Sequence, residues 1–298
     1  MKIPWKDPRC ILCLQEGALT SEHVIPQVLG GRLQAEFLCA TCNSRLGTAL
    51  DARVKSDPRI RKAALELRHE LPGLAEAIED GAPYFGKTTL GEFQGRVKNG
   101  VFRSEPLIPG DGSLILATPL ARDAIKQMLM KQGRGSEIPS AIERFDGAPP
   151  NERIEIAPGI QVIDWQTEQV RPALELGETI PDAWPLKVAY AFLACCVGGA
   201  IYSGDFEIYR RLLLGDPSAG DAVLVEHLVG EHLAPLHGLL LEPNAPHAIV
   251  QMRVFRRICY RVHFRRIAVG GPRLIYSHDL AQPAEEFAII EHDGEEVR

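Results

Sequence analysis

The chain has 298 residues, 45% apolar and 24% charged, with seven cysteines. These proportions suit a soluble globular protein with room for about two domains of roughly 100–200 residues each. They exclude a mainly disordered, collagen-like or disulfide-dense miniature chain, and the formal net charge of −6 argues against a uniformly basic nucleic-acid binder.

In chain order, the first feature is a basic island. Residues 1–62 carry ten Lys/Arg and six Asp/Glu, net +4, in a protein that is acidic overall. Four cysteines fall here, Cys10, Cys13, Cys39 and Cys42, in the pattern C-x2-C-x25-C-x2-C. Each C-x2-C brings two thiolates into one tight turn, and two such turns supply four soft ligands for a tetrahedral site, the chemistry of structural Zn2+. A closed zinc site also supplies folding energy to a small unit without a large core. Met1–Pro8 contain no apolar run of the secretory type. With an odd cysteine count this predicts a reducing, cytoplasmic setting, where cysteine pairs bind metal rather than form disulfides.

Between the pairs lie Ser21-Glu22-His23-Val24-Ile25-Pro26 and then Leu29-Gly30-Gly31, a turn rather than a phosphate loop; Asn43 follows the last cysteine and opens an expected helix over Asn43–Ala52, with Leu46-Gly47 and Asp51 inside it. The order C-x2-C, EH-x2-P, GG, C-x2-C-N, LG, D resembles the HNH endonucleases of the His-Me finger, or ββα-metal, class. It is closest to the bacterial branch with a four-cysteine zinc site. The resemblance covers roughly residues 8–55. It implies His23 as general base, Glu22 and Asn43 as ligands of a catalytic Mg2+ or Mn2+, and Asp51 as a helper to that ion or a clamp on a neighbouring Arg. The family's middle Asn has no counterpart in Gln34–Leu38; Gln34 or Glu36 is available to replace it. A neutral imidazole suits deprotonation of water near pH 7, and a hard ion on oxygen ligands suits charge on a leaving oxygen. Taken singly, Asn43 could instead cap its helix, Glu22 could be a surface acid and His23 a structural histidine.

Residues 56–80 read as helix from Ala63, Leu67, Leu71 and Leu74, broken at Pro72-Gly73. Residues 81–120 read as strands and turns, 121–133 as helix and 146–160 as a loop. Residues 183–214 read as two helices; the uncharged, proline-free stretch Val188–Ile201 is 14 residues, short of a membrane span of about 20, so a core helix is expected, with Lys187 snorkelling or capping before it and Cys195-Cys196 packed in it. His227, His232 and His237 recur every five residues, which does not align them on a helix face, so no second metal site is expected.

Residues 247–280 read as a hairpin or meander. Within it, 253–273 carry seven Arg and no acid, leaving −17 for the chain outside the two basic islands. Read as a strand, 253–266 places Ile258, Tyr260, Val262 and Phe264 on one face and Arg253, Arg257, Arg261, His263 and Arg265 on the other. That cationic face is either a solvated edge guarding against strand pairing or a surface for nucleic-acid phosphates. Glu285–Arg298 form an acidic tail expected to be solvated.

The expected fold is α+β: a zinc-stabilised ββα-metal module over 1–62, then a larger domain of helices and antiparallel sheet over 63–298 that recognises substrate or a partner. The expected activity is metal-dependent hydrolysis of DNA, with no membrane partner; a homodimer would offer two active sites for double-strand cleavage. The alternatives are a catalytically decayed, zinc-stabilised DNA-binding or regulatory protein, and a nuclease directed at RNA or serving phage defence.

Overall fold

The computed structural model describes residues 1–298 except 82, 89–90, 99–100, 106–112, 150–151, 166–172, 176–180, 231–233, 244–245, 283, 291–295 and 298. In chain order the elements are β1 (Lys2–Ile3), β2 (Leu19–His23), β3 (Gln34–Cys39), α1 (Ala40–Leu46), a wider π turn (Gly47–Asp51), α2 (Ala52–Val54), α3 (Pro58–Glu66) and α4 (Pro72–Glu79). Then come β4 (Pro83–Thr88), β5 (Gly91–Lys98), β6 (Val101–Glu105), β7 (Ser113–Ala117), α5 (Thr118–Lys131), α6 (Ile138–Asp146), β8 (Arg153–Ala157), β9 (Ile160–Trp165) and β10 (Ala173–Glu175). The last part holds α7 (Ala183–Val197), α8 (Glu207–Leu213), β11 (Val223–Val229), β12 (Leu236–Glu242), β13 (Ala248–Val254), β14 (Ile258–Phe264), β15 (Arg273–Asp279), β16 (Glu285–Ile290) and β17 (Glu296–Val297). The fold is α+β, with a ββα arrangement at the N-terminus and a larger sheet after it.

The chain forms two compact units, Met1–Ile78 with Glu178–Arg298, and Glu79–Gly177. The expected division at 62/63 therefore falls inside a unit. The reason is burial: Val24, Leu29, Phe37, Leu46 and Leu50 share one cluster with Trp184, Phe192, Leu239 and Val250. The second unit has its own core of Ile125, Leu129, Phe145 and Val162, with sheets ordered β10-β4-β5-β6 and β7-β9-β8.

In the first unit, β2 and β3 form an antiparallel hairpin, irregular between Thr20 and Ser21, with β1 parallel on the outer side of β3. The seven-stranded sheet runs β11-β14-β13-β12-β15-β16-β17 and is antiparallel throughout. Helix α7 lies on β12, β13 and β14 and reaches the Gly47–Asp51 turn. With the turn after it to Tyr202 it makes a 20-residue apolar segment of spanning length, and every residue from Trp184 to Ala194 is buried in this unit's core.

Five expectations change in detail, the first being the loop over 146–160, which holds β8 (Arg153–Ala157). Helix α1 starts at Ala40 with Cys39 as its N-cap, so Asn43 lies inside the helix and caps nothing. The helical stretch after 56 ends at Glu66, and Pro72 opens the next helix, as its fixed φ and missing N–H suit a first-turn position. Residues 253–266 are two strands joined by a tight turn: Phe255 takes φ 59° with its ring fully buried, and the chain reverses there. The alternation in β14 holds, with Ile258, Tyr260, Val262 and Phe264 inward. The C-terminal tail is partly structured, because Glu285–Ile290 pair with β15 and Glu296–Val297 pair with β16. His227 and His237 lie on strands rather than a helix, and His232 lies outside the described residues.

Candidate functional site

The four cysteines converge. Cys10 and Cys13 occupy a tight turn in which the Leu14 amide donates to the Cys10 carbonyl (3.0 Å), and Cys39 and Cys42 come from the end of β3 and the first turn of α1. All four sulfurs lie within 4.8 Å of one another, and Cys13 Sγ and Cys39 Sγ are 3.7 Å apart. A tetrahedron of sulfurs with metal–sulfur bonds of about 2.3 Å has edges of roughly 3.8 Å, so the spacing is that of one shared metal ion. Burial raises the Cys42 thiol, and Cys10 beside it adds to the effect. Burial also lifts the Cys13 thiol. A bound dication reverses that preference by stabilising thiolates.

A second cluster lies at the hairpin. His23 ends β2, and Gln34 opens β3 directly opposite it. Gln34 Nε2 and His23 Nε2 are 2.7 Å apart, and Ser21 Oγ donates to Gln34 Oε1 (3.1 Å). Ser21, His23 and Gln34 thus share one face of the hairpin, as a period of two requires. Burial lowers the His23 pKa, and the Lys187 ammonium lowers it further. The ring is therefore neutral at physiological pH.

Thr20 and Glu22 point to the other face, toward α1 and the turn after it. Glu22 is 7% exposed. Its Oε1 pairs with Lys187 Nζ, which also donates to Asp51 Oδ2 (3.0 Å) and to the His23 carbonyl (3.3 Å). Burial alone would lower the Lys187 pKa; the Asp51 and Glu22 carboxylates outweigh it and hold the ammonium above its ordinary value. Burial lifts the Glu22 carboxyl, with Lys187 opposing. Asp51 Oδ1 is buried without a hydrogen-bond partner. Glu22, His23 and Asp51 line one cleft of about 340 Å³ with Pro26, Gln27, Gly47 and Lys55.

Asn43 borders a neighbouring recess with Thr20, Ala40 and Thr48, and Gly47 lines both recesses. Asn43 Nδ2 donates to Thr20 Oγ1 (2.9 Å) and to the Ser21 carbonyl (3.4 Å). The expected set therefore divides: His23, Glu22 and Asp51 share a cleft, and Asn43 stands beside it. The charge that meets Asp51 is Lys187. Sequence reading missed this lysine, because a single Lys beside an apolar run looks like a snorkelling charge; its two acids lie 165 and 136 residues away.

The cationic face of the large sheet carries its own acids. Arg257 pairs with Glu66 (3.1 Å), Arg261 with Glu226 (3.4 Å) and His263 with Glu226 (3.1 Å), while neighbouring Arg256 meets Glu70 (2.7 Å). His263 also hydrogen-bonds His247 (2.9 Å). Arg253 lines a separate groove on the sheet's outer face with Leu240 and Ser277, and Arg265 is exposed beyond the end of β14. The five residues do not form one open cationic stripe.

A hairpin followed by a helix, with four cysteines spaced for one metal ion and a histidine at the hairpin's end, is the arrangement of ββα-metal nuclease domains. Residues 10–58 match the family model described as HNH endonuclease. No curated protein and no solved structure matches the chain. An HNH domain implies a nucleic-acid substrate, and the match stops before α4, so it covers the ββα segment and little else.

Proposed function

We propose that this protein is a metal-dependent HNH endonuclease that hydrolyses DNA phosphodiester bonds, with His23 as general base and Zn2+ as the structural ion on Cys10, Cys13, Cys39 and Cys42. The observation that carries this reading is the cleft in which a neutral His23 stands beside the buried Glu22 and the half-buried Asp51. His23 removes a proton from the attacking water as its oxygen bonds to phosphorus, and the ester P–O bond breaks on the far side. Gln34 takes the orienting role of the missing Asn. This role requires the Gln34 amide to be reversed from the orientation described above, so that Oε1 accepts from His23 Nε2–H, Nε2 donates to Ser21 Oγ, and His23 Nδ1 keeps the lone pair that accepts the proton.

Glu22 and Asp51, with its buried, unpartnered Oδ1, offer hard oxygen donors to a catalytic Mg2+ or Mn2+ in one cleft, while the Asn43 amide oxygen would have to reach such an ion from the neighbouring recess. When bound, such an ion would neutralise charge developing on the leaving oxygen. A closed four-sulfur site scaffolds and cannot serve that purpose.

The test is a cleavage panel on duplex DNA, single-stranded DNA and RNA with the zinc-loaded protein, with EDTA followed by Mg2+ or Mn2+ titration. Duplex DNA should be cut only with added ion, and His23→Ala should reduce cutting by roughly 100- to 10,000-fold with zinc content intact, as loss of a general base does. Cleavage that survives His23→Ala sinks the assignment. RNA cleavage alone would redirect it to an RNA nuclease or defence effector. The second reading, a decayed DNA-binding protein, has in its favour that Lys187 already holds Glu22. Salt-sensitive DNA binding without product under every ion condition would decide for it.

A further inference from the structure

The Lys187 ammonium is surrounded in a particular way. It has three N–H donors and three acceptors, one on Glu22, one on Asp51 and one on the backbone of His23. Its side chain is only 2% exposed. A saturated, buried ammonium has no proton left for a substrate phosphate. Nor is it mobile: it projects from α7, whose residues Trp184 to Ala194 are all buried. Two carboxylates and a carbonyl therefore already hold a compact positive charge against two of the acids that line the cleft. That charge engages oxygens a divalent ion would otherwise use, and a second cation close by feels like-charge repulsion.

We propose that Lys187 is the resident cation of this site: it stays between Glu22 and Asp51 when a divalent ion binds, keeps that ion's affinity low, and fixes the hairpin against the Gly47–Asp51 turn. The inference rests on the nuclease reading for the ion's purpose, but its test does not depend on cleavage. It makes Lys187 a positioning residue, supplied to the ββα segment by a helix far downstream in the chain.

The experiment measures Mn2+ binding calorimetrically on zinc-loaded, full-length wild type, Lys187→Met and Lys187→Arg, with circular dichroism as the check on folding. Lys187→Met frees two oxygens and removes one charge, so it should bind Mn2+ about tenfold tighter or more, a gain of about 1.4 kcal/mol or more. The gain should vanish when Glu22→Gln is added. Lys187→Arg should stay within about threefold of wild type because the charge is kept. Unchanged or weaker Mn2+ binding by a folded Lys187→Met overturns the proposal, as does an absence of binding in every variant. If Lys187→Met does not fold, wild type labelled with 15N-lysine decides. A slowly exchanging ammonium signal, absent from Lys187→Arg, should persist at saturating Mg2+, and its loss on Mg2+ addition would overturn the proposal. A wild type that cuts nothing yet gives these binding results refutes the nuclease reading and leaves the lysine assignment standing.

Discussion

A general base must be neutral, oriented and within reach of its proton. For the role proposed for His23, the first two conditions come from different neighbours. Burial and Lys187 depress its pKa, so protonation occurs below the ordinary value of 6.5. In the proposed reaction the neutral ring is the active form, so kcat/KM should fall with acidity and its acid limb should have a midpoint below pH 6.5; a midpoint above 6.5 in the pH–rate profile would contradict that role. In that proposal orientation falls to Gln34, 2.7 Å from the ring. Gln34→Leu should lower kcat by roughly 10–100-fold with little change in KM, the range for partners that orient a functional group. At this scale the Glu22-His23 pair and the four cysteines were legible in the sequence, because adjacency and spacing are local facts. Gln34 could only be named as an available substitute, because the pairing register that faces it to His23 is set by the hairpin. Lys187 was not legible, since its partners are distant in sequence and nothing local distinguishes a paired lysine from a snorkelling one.

Among the elements, the turn after β2 shapes the cleft beside His23. Pro26, Gln27 and Val28 line the cleft, and the chain returns through Gly30 at φ 86° and Gly31 to β3. The Gly-Gly pair was read as a turn, and the structure supplies the reason for the second glycine. A Cβ on Gly31 would stand 1.9 Å from the Ile25 carbonyl oxygen, a backbone atom that cannot rotate away. Gly31→Ala should therefore destabilise the protein by about 1–3 kcal/mol, as overpacking does, read as a lower urea midpoint at unchanged slope. An unchanged midpoint would mean the turn relaxes freely. Other elements were less legible where a side chain overrides pattern. The arginine-rich stretch alternates as one strand would over 258–264, but the buried Phe255 ring holds a left-handed backbone and turns the chain. Its arginines also looked like an unopposed charge, because the Glu66, Glu70 and Glu226 that meet them come from α3, the segment just after α3, and β11.

For the whole molecule, the ββα segment is not a separate body but one wall of a larger core. Tyr190 donates to the Ile11 carbonyl in the cysteine turn, Tyr202 donates to Arg9 (2.6 Å) and lies under its guanidinium, and α7 supplies Lys187. Sequence composition could not show this, because a metal cluster reads as self-sufficient and shared burial leaves no local signature. One consequence concerns acid. His237 on β12 is fully buried and donates to the Leu29 carbonyl (2.8 Å), fastening the large sheet to the turn beside the cleft. Burial, with neighbouring His278, pushes its pKa down to about 4 from 6.5, the Leu29 hydrogen bond opposing. Between those two values the unfolded chain takes up a proton that the folded protein refuses, so stability is full above pH 6.5 and declines as pH falls toward 4. A difference of about 2.5 pKa units corresponds to about 3 kcal/mol. Urea unfolding of wild type should show a loss of that order across the window. His237→Gln keeps an N–H for Leu29 but cannot titrate, and its loss should be smaller by about the same amount. The difference between the two proteins isolates His237 from Glu22, whose raised carboxyl acts with the opposite sign. Parallel pH profiles for the two would show that the sheet does not fasten the turn beside the cleft through a neutral histidine.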